Sequence, residues 1–221
     1  MPLVVRWRSR DTLRMRDLTA LFLARGFDCT PETVRDREAR CAPLLTGRWR
    51  ATRRGATGTR WHADETDVKV NGTWRALYRA LDRDGNRVDA RLSQTRDREA
   101  AQRFFAQALD RVGSAPAQVT TDGHDASPRA IRETPGPTVQ HRTSRDTNTT
   151  IAPDHRGVQP RDYPVRGFGR FTSAARFCAG FEEQRQYFRS RTSTGERVSL
   201  TEQRHLFRER WAAALAAVTA A

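Results

Sequence analysis

The chain has 221 residues, 40 of them basic and 26 acidic, giving a net charge of +14 and an isoelectric point near 11.3. That length allows one well-filled core and one small extra module, and the charge favours a polyanionic partner through phosphate neutralisation and counterion release. Three cysteines (Cys29, Cys41, Cys178) without Cys-x-x-Cys spacing argue against a disulfide framework or a zinc site, and no apolar run is long enough for a signal peptide or a membrane span, so a cytoplasmic protein is expected.

Lys69 is the one lysine, and all other basic residues are arginine. Codon bias in a G+C-rich genome explains this more simply than selection does. Either way, arginine keeps its charge and forks onto phosphate oxygens.

Residues 1–48 are helical in pattern. Leu18, Leu21, Phe22 and Arg25 fall at helical spacing, and Gly26 is placed to end that helix. Thr30, Pro31 and Glu32 then form a helix start, as N-cap, first-turn proline and first-turn acid. Two helices around a glycine turn suggest a helix-turn-helix whose second member offers Thr33, Arg35, Asp36, Arg37 and Arg40 to DNA. The pattern alone is weak, since any helical hairpin looks similar.

Residues 49–60 are rich in Gly, Thr and Arg without apolar periodicity, and read as a basic linker. Arg53 and Arg54 in it are candidate phosphate contacts; a solvated loop is the plainer reading. Three strands are predicted next, at 61–70, 73–82 and 87–95. Val68, Val70, Trp74, Ala76 and Tyr78 keep a period near two, and Asn71-Gly72 is a strong hairpin signal. Asp84-Gly85 marks a second reversal before Val88, Ala90 and Leu92. Asp64 lies mid-strand, where a buried carboxylate needs a partner such as a metal ion; an exposed Asp on a sheet face is the alternative.

Residues 97–112 form an amphipathic helix with Ala101, Phe104, Phe105, Ala108, Leu109 and Val112 inward. A short strand over 118–122 ends in Asp122, which either serves a site or caps a turn before Gly123. A helix over 126–133, a strand over 139–143 and a helix from Phe171 to about Arg189 follow. Residues 191–221 read as a helical tail. Arg156, Arg161, Arg166, Arg170 and Arg176 recur about every five residues, either as DNA-backbone contacts or as a solvated basic face.

The run from Trp61 to Leu109, with its Asp64-Glu65-Thr66 triplet, Lys69-Val70-x-Gly72-x-Trp74 turn and Tyr78-Arg79-Ala80-x-Asp82-x-x-Gly85-Asn86 segment, resembles the DDE-type bacterial insertion-sequence transposases of the insertion-sequence-six family. The likeness continues through residues 119–133 and 154–182, and covers most of the chain up to about Arg189. It implies an α/β, ribonuclease H-like catalytic domain over 61–190, a mixed sheet flanked by helices, preceded by a helix-turn-helix module over 1–48. It also implies double-stranded DNA as partner (element ends and target), association with the bacterial nucleoid, and a homo-oligomer on DNA.

Cutting and rejoining a phosphodiester requires an activated nucleophile and a stabilised leaving oxygen. Two Mg²⁺ or Mn²⁺ ions about 3.5–4 Å apart serve both needs when three carboxylates hold them. By the resemblance, Asp64 and Asp122 match the first two catalytic and metal-binding acids. The family's third acid is the Glu of Asn-Asn-x-x-Glu-x-Asp-His-Arg. Here Asn148, Asp154, His155 and Arg156 keep that pattern, but Ala152 stands at the Glu position. Asp154 is a weak substitute, because two helical positions turn a side chain by about 200°. Pro153 and a shortened interval after Asp122 also depart from the family. The sequence therefore suggests a transposase copy with impaired catalysis; its alternative is a non-catalytic DNA-binding relic or an inhibitor of related transposases.

Overall fold

The computed structural model describes residues 2–11, 13–52, 57–122, 126–144, 168–193 and 195–219. Helices α1 (Pro2–Arg10), α2 (Met15–Leu23) and α3 (Pro31–Ala51) precede strands β1 (Arg60–Val70), β2 (Thr73–Asp82) and β3 (Arg87–Ser93). Helix α4 (Arg98–Val112), strand β4 (Gln118–Thr121), helix α5 (Ala126–Glu133) and strand β5 (Gln140–Thr143) follow. Helices α6 (Phe171–Tyr187) and α7 (Leu200–Thr219) come last among the described residues.

The strands form one sheet in the order β3-β2-β1-β4-β5. β1, β2 and β3 pair antiparallel, while β4 and β5 run parallel to β1. This is the ribonuclease H-like arrangement. The first hairpin closes where the sequence marks it: Asn71 and Gly72 have φ of 48° and 78°, the left-handed pair of a tight hairpin turn. That turn sets Thr66 opposite Leu77 and Glu65 opposite Tyr78.

The register turns the two apolar sets of this hairpin to opposite faces. Trp61, Ala63, Ala76, Tyr78 and Val88 pack with Phe104 and Phe105 of α4 and with Ala130 and Ile131 of α5. Val68, Val70, Leu77 and Leu92 pack on the other face against Phe177, Cys178 and Phe181 of α6. Trp74 joins neither set; it is 62% exposed at the hairpin end, with the Lys69 ammonium 5.5 Å from its ring.

Caps explain the helix ends. Thr30 accepts from the Thr33 amide at the start of α3, and Asp97 accepts from Ala100 at the start of α4, which ends on Gly113 at φ 81°. Helix α3 runs to Ala51, three residues into the stretch that the sequence suggests is linker, because Trp49 is buried against Tyr187 and Phe188. α3 therefore lies along α6. At their approach a Cβ on Gly180 would sit 3.4 Å from the Thr46 hydroxyl.

Candidate functional site

Asp64 sits in the middle of β1, half-buried, and Asp122 follows the last residue of β4, exposed. β1 and β4 pair in parallel with Arg60 opposite Gln118, Trp61 opposite Val119 and His62 opposite Thr120. The pairing ends there; continued by two residues, the same register would bring Asp64 level with Asp122 on one face of the sheet. Residues 58 positions apart in the chain are carried by β1 and by the end of its neighbour β4, because β1 is central and the β1–β4 crossover is long enough to bring a parallel strand to it. The Asp64 carboxylate also accepts the Glu65 amide at 2.7 Å, which fixes its rotamer.

A buried ionic cluster backs this part of the sheet. Arg79, the cross-strand partner of Asp64, donates to the Thr66 hydroxyl at 3.0 Å and lies 3.5 Å from Glu182 of α6. Arg87 of β3 pairs with the same Glu182. All three side chains are buried, so their charges act through a medium of low polarisability. On the opposite face Arg96 pairs with Glu65 at 3.0 Å. Burial works to lower the Arg96 guanidinium, but its hydrogen bond to Glu65 and the charges of Glu65, Asp67 and Asp122 outweigh burial and raise it. Arg96 thus stands in the field of the Asp122 carboxylate.

The other motif residues are structural. Asp82 is buried and accepts from the amides of Gly58 and Asn86 at 2.9 and 2.7 Å, holding the entry to β1 against the β2–β3 turn. Asn86 in turn accepts from Arg189 at 2.7 Å. The sequence assigned no role to Arg79, Glu182 or Arg96. No spacing rule marks them, since each acts through a partner brought in by strand register or by α6.

Arg35, Arg37 and Arg40 lie exposed on α3, whose buried side carries Val34, Glu38, Ala42, Leu45 and Trp49. Seven residues separate α2 from α3, longer than the three- or four-residue turn of a tight helix-turn-helix. Arg53, Arg54, Ala152, Asp154, His155, Arg156 and Arg161 lie outside the described residues. Among the described residues, no three His, Cys, Asp or Glu side chains gather as a metal-binding group, and no helix is long and apolar enough to cross a membrane.

Residues 58–191 match the family model of a DDE domain. The chain is 31% identical over 156 residues to the transposase for insertion sequence-like element IS431mec of Staphylococcus aureus, covering 69% of each chain. Identity and coverage are the same for the transposase for insertion sequence element IS257 in transposon Tn4003, also of Staphylococcus aureus. Among solved structures, a chain of the simian T-cell lymphotropic virus intasome in complex with a PP2A regulatory subunit is 17% identical, with a TM-score of 0.43 over 58% of this chain and 49% of that one. A score this low adds nothing to the fold assignment, which rests on strand order.

Proposed function

Since the chain belongs to the DDE transposases of the insertion-sequence-six family, we propose that it binds the ends of a mobile DNA element and that Asp64 and Asp122 form the core of its strand-cutting site. One observation supports this reading: the parallel β1–β4 register, continued by two residues, would bring Asp64 and Asp122 level on one face. Such a pair suits a hard divalent cation, which prefers carboxylate and water oxygens. Mg²⁺ or Mn²⁺ held there supplies charge stabilisation to the phosphate oxygens when bound. Asp64 brings a rotamer held by the Glu65 amide. Asp122, at a strand end and exposed, leaves the site open to a strand of DNA. The chemistry proposed is attack of water on the phosphodiester at the element end, then attack of the freed 3′-hydroxyl on target DNA.

Arg35, Arg37 and Arg40 on the exposed side of α3 are proposed to meet the element end, with Arg53, Arg54, Arg156 and Arg161 as further phosphate contacts on the strength of sequence. An oligomer on DNA belongs to the same proposal. Ala152 gives the second reading its weight, because alanine offers no oxygen where the family places its third acid. In that reading the chain occupies ends and cuts slowly or not at all.

Cleavage of a labelled end duplex with Mg²⁺ or Mn²⁺ decides between them. Cutting that Asp64→Asn and Asp122→Asn both abolish supports the first; duplex binding with no cutting supports the second. Cutting that survives both substitutions sinks the assignment of the site.

A further inference from the structure

We propose that the cleft between α1, α3 and the start of α6 holds one phosphate group of the DNA backbone, gripped by Arg8, Arg35, Arg170 and Arg176. This rests on the reading that the chain binds DNA, and it places a contact well away from the two carboxylates.

The cleft has a volume of about 380 Å³ and is lined by those four arginines, with Glu38 the one acidic side chain in its wall. Arg176 reaches Glu38 at 3.3 Å, so that carboxylate is already engaged. The Nε atoms of Arg8 and Arg176 are buried and make no hydrogen bond among the described residues. Burial lowers the Arg8 guanidinium; Glu38 acts against this, and Arg176 and Arg35 push it further down. Four guanidinium groups thus line one small space with a single carboxylate in its wall, and although Arg35 also lies 3.8 Å from Glu32 outside it, Arg8 and Arg170 have no acid there among the described residues to answer them, an arrangement that calls for an anion.

The start of α6 adds to this. Gly169, Arg170 and Ser173 line the cleft, α6 has no acidic residue in its first turn, and its N-cap makes no side-chain hydrogen bond. The first amides and the positive end of the helix dipole therefore act in the same sense as the arginines. Guanidinium forks match phosphate oxygens in geometry as well as charge.

Position sets what the grip does. Phe168 bridges to Val70 at the far end of β1, six residues from Asp64, or roughly 20 Å along an extended strand. That distance spans about six base steps of duplex at ~3.4 Å each. The phosphate held here is not the one cut. It orients the flanking duplex, and because α1, α3 and α6 all contribute, it ties the N-terminal helices to the catalytic sheet.

The test is anisotropy of a fluorescein-labelled duplex without divalent metal, across a salt series, with Arg8→Gln, Arg176→Gln, the double variant and Arg170→Gln. If one phosphate is shared, either buried substitution weakens binding about eightfold at 0.1 M salt and flattens the log–log slope by about 0.9. The double variant then flattens it no further. Arg170 is exposed, so Arg170→Gln keeps the fold and still lowers affinity, which covers failure of a buried variant to fold. Slopes equal to that of the unaltered chain, or losses that add in the double variant, overturn the shared site. If the unaltered chain binds no duplex at all, the DNA-binding reading falls and the cleft proposal with it; tight, salt-sensitive binding untouched by the variants removes the cleft alone.

Discussion

Glu182 shows how much one side chain does in this sheet. It is buried in α6 and shared between Arg79 of β2 and Arg87 of β3, so it joins two strands and a helix through charge. Breaking a buried ion pair from one side typically destabilises by about 3–5 kcal/mol. Glu182→Ala is therefore expected to lower the melting temperature by roughly 6–20 °C for a domain of this size. A triple change to apolar residues of similar volume at 79, 87 and 182 is expected to recover most of that loss. A melting temperature unchanged in Glu182→Ala rules out the shared role. Tyr78 allows a second check. Burial, then the charges of Glu65 and Asp97, push its phenol up to about 12. The ordinary value is near 10, so between pH 10 and 12 the unfolded chain gives up a proton that the native chain keeps. Stability is then present below pH 10 and lost as pH rises through 12. Urea midpoints of the unaltered chain should fall across that window, and those of Tyr78→Phe should fall less. Identical pH profiles for the two rule out this contribution.

At the level of elements, the strands and helices were largely legible because their signals are local. Asn71-Gly72, Thr30-Pro31 and the Phe104–Phe105 stripe each state their structure within a few residues. The partners across elements were not legible. Glu65 and Arg96 lie 31 residues apart, and Arg79 and Glu182 meet because α6 crosses the sheet where Arg79 emerges. Of the proposed site, Asp64 and Asp122 come from the resemblance, and nothing in their spacing announces that a parallel crossover puts β4 beside β1. The reach of α3 was misjudged for a related reason, since Trp49 looks like loop composition until Tyr187 is beside it. This packing yields a prediction for α3. Its residues Ala42, Leu45 and Trp49 form a cluster with Val5, Ala214 of α7, Tyr187 and Phe188, so removing residues 1–48 takes Val5, Ala42 and Leu45 from the cluster, leaves Trp49 without the helix that holds it, and strips apolar cover from both later helices. The truncated chain is expected to lose near-ultraviolet dichroism and aggregate. A truncated chain that is monomeric and melts as sharply as the full one shows instead that the N-terminal helices are an independent module. A point change is the better probe of reading: Arg40→Ala should lower preference for an element end by about 1–3 kcal/mol if its side chain contacts a base, whereas Arg35→Ala, at the proposed phosphate cleft, should weaken end and random duplex alike.

Over the whole molecule, the excess of positive charge and the fold act together. On the proposed reading, the two carboxylates need a metal ion to approach a phosphate, since carboxylates alone repel it. The +14 charge would then supply the long-range attraction that brings a duplex to that acidic spot. Affinity on this account is mostly counterion release, and it should be present without any divalent ion and for random duplex as well as element ends. If roughly five phosphates are neutralised, log K should fall with log salt at a slope near −4.5. Codon bias as the origin of the arginines does not weaken the expectation, because counterion release depends on where the charges are and not on why they arose. Filter-binding titrations between 50 and 300 mM salt measure the slope directly. An end duplex should show the same slope as a random one but a tighter intercept, since base contacts add affinity without releasing ions. A slope near zero for both, in a chain shown to be folded by its melting transition, means that the basic surface is only a solvated face.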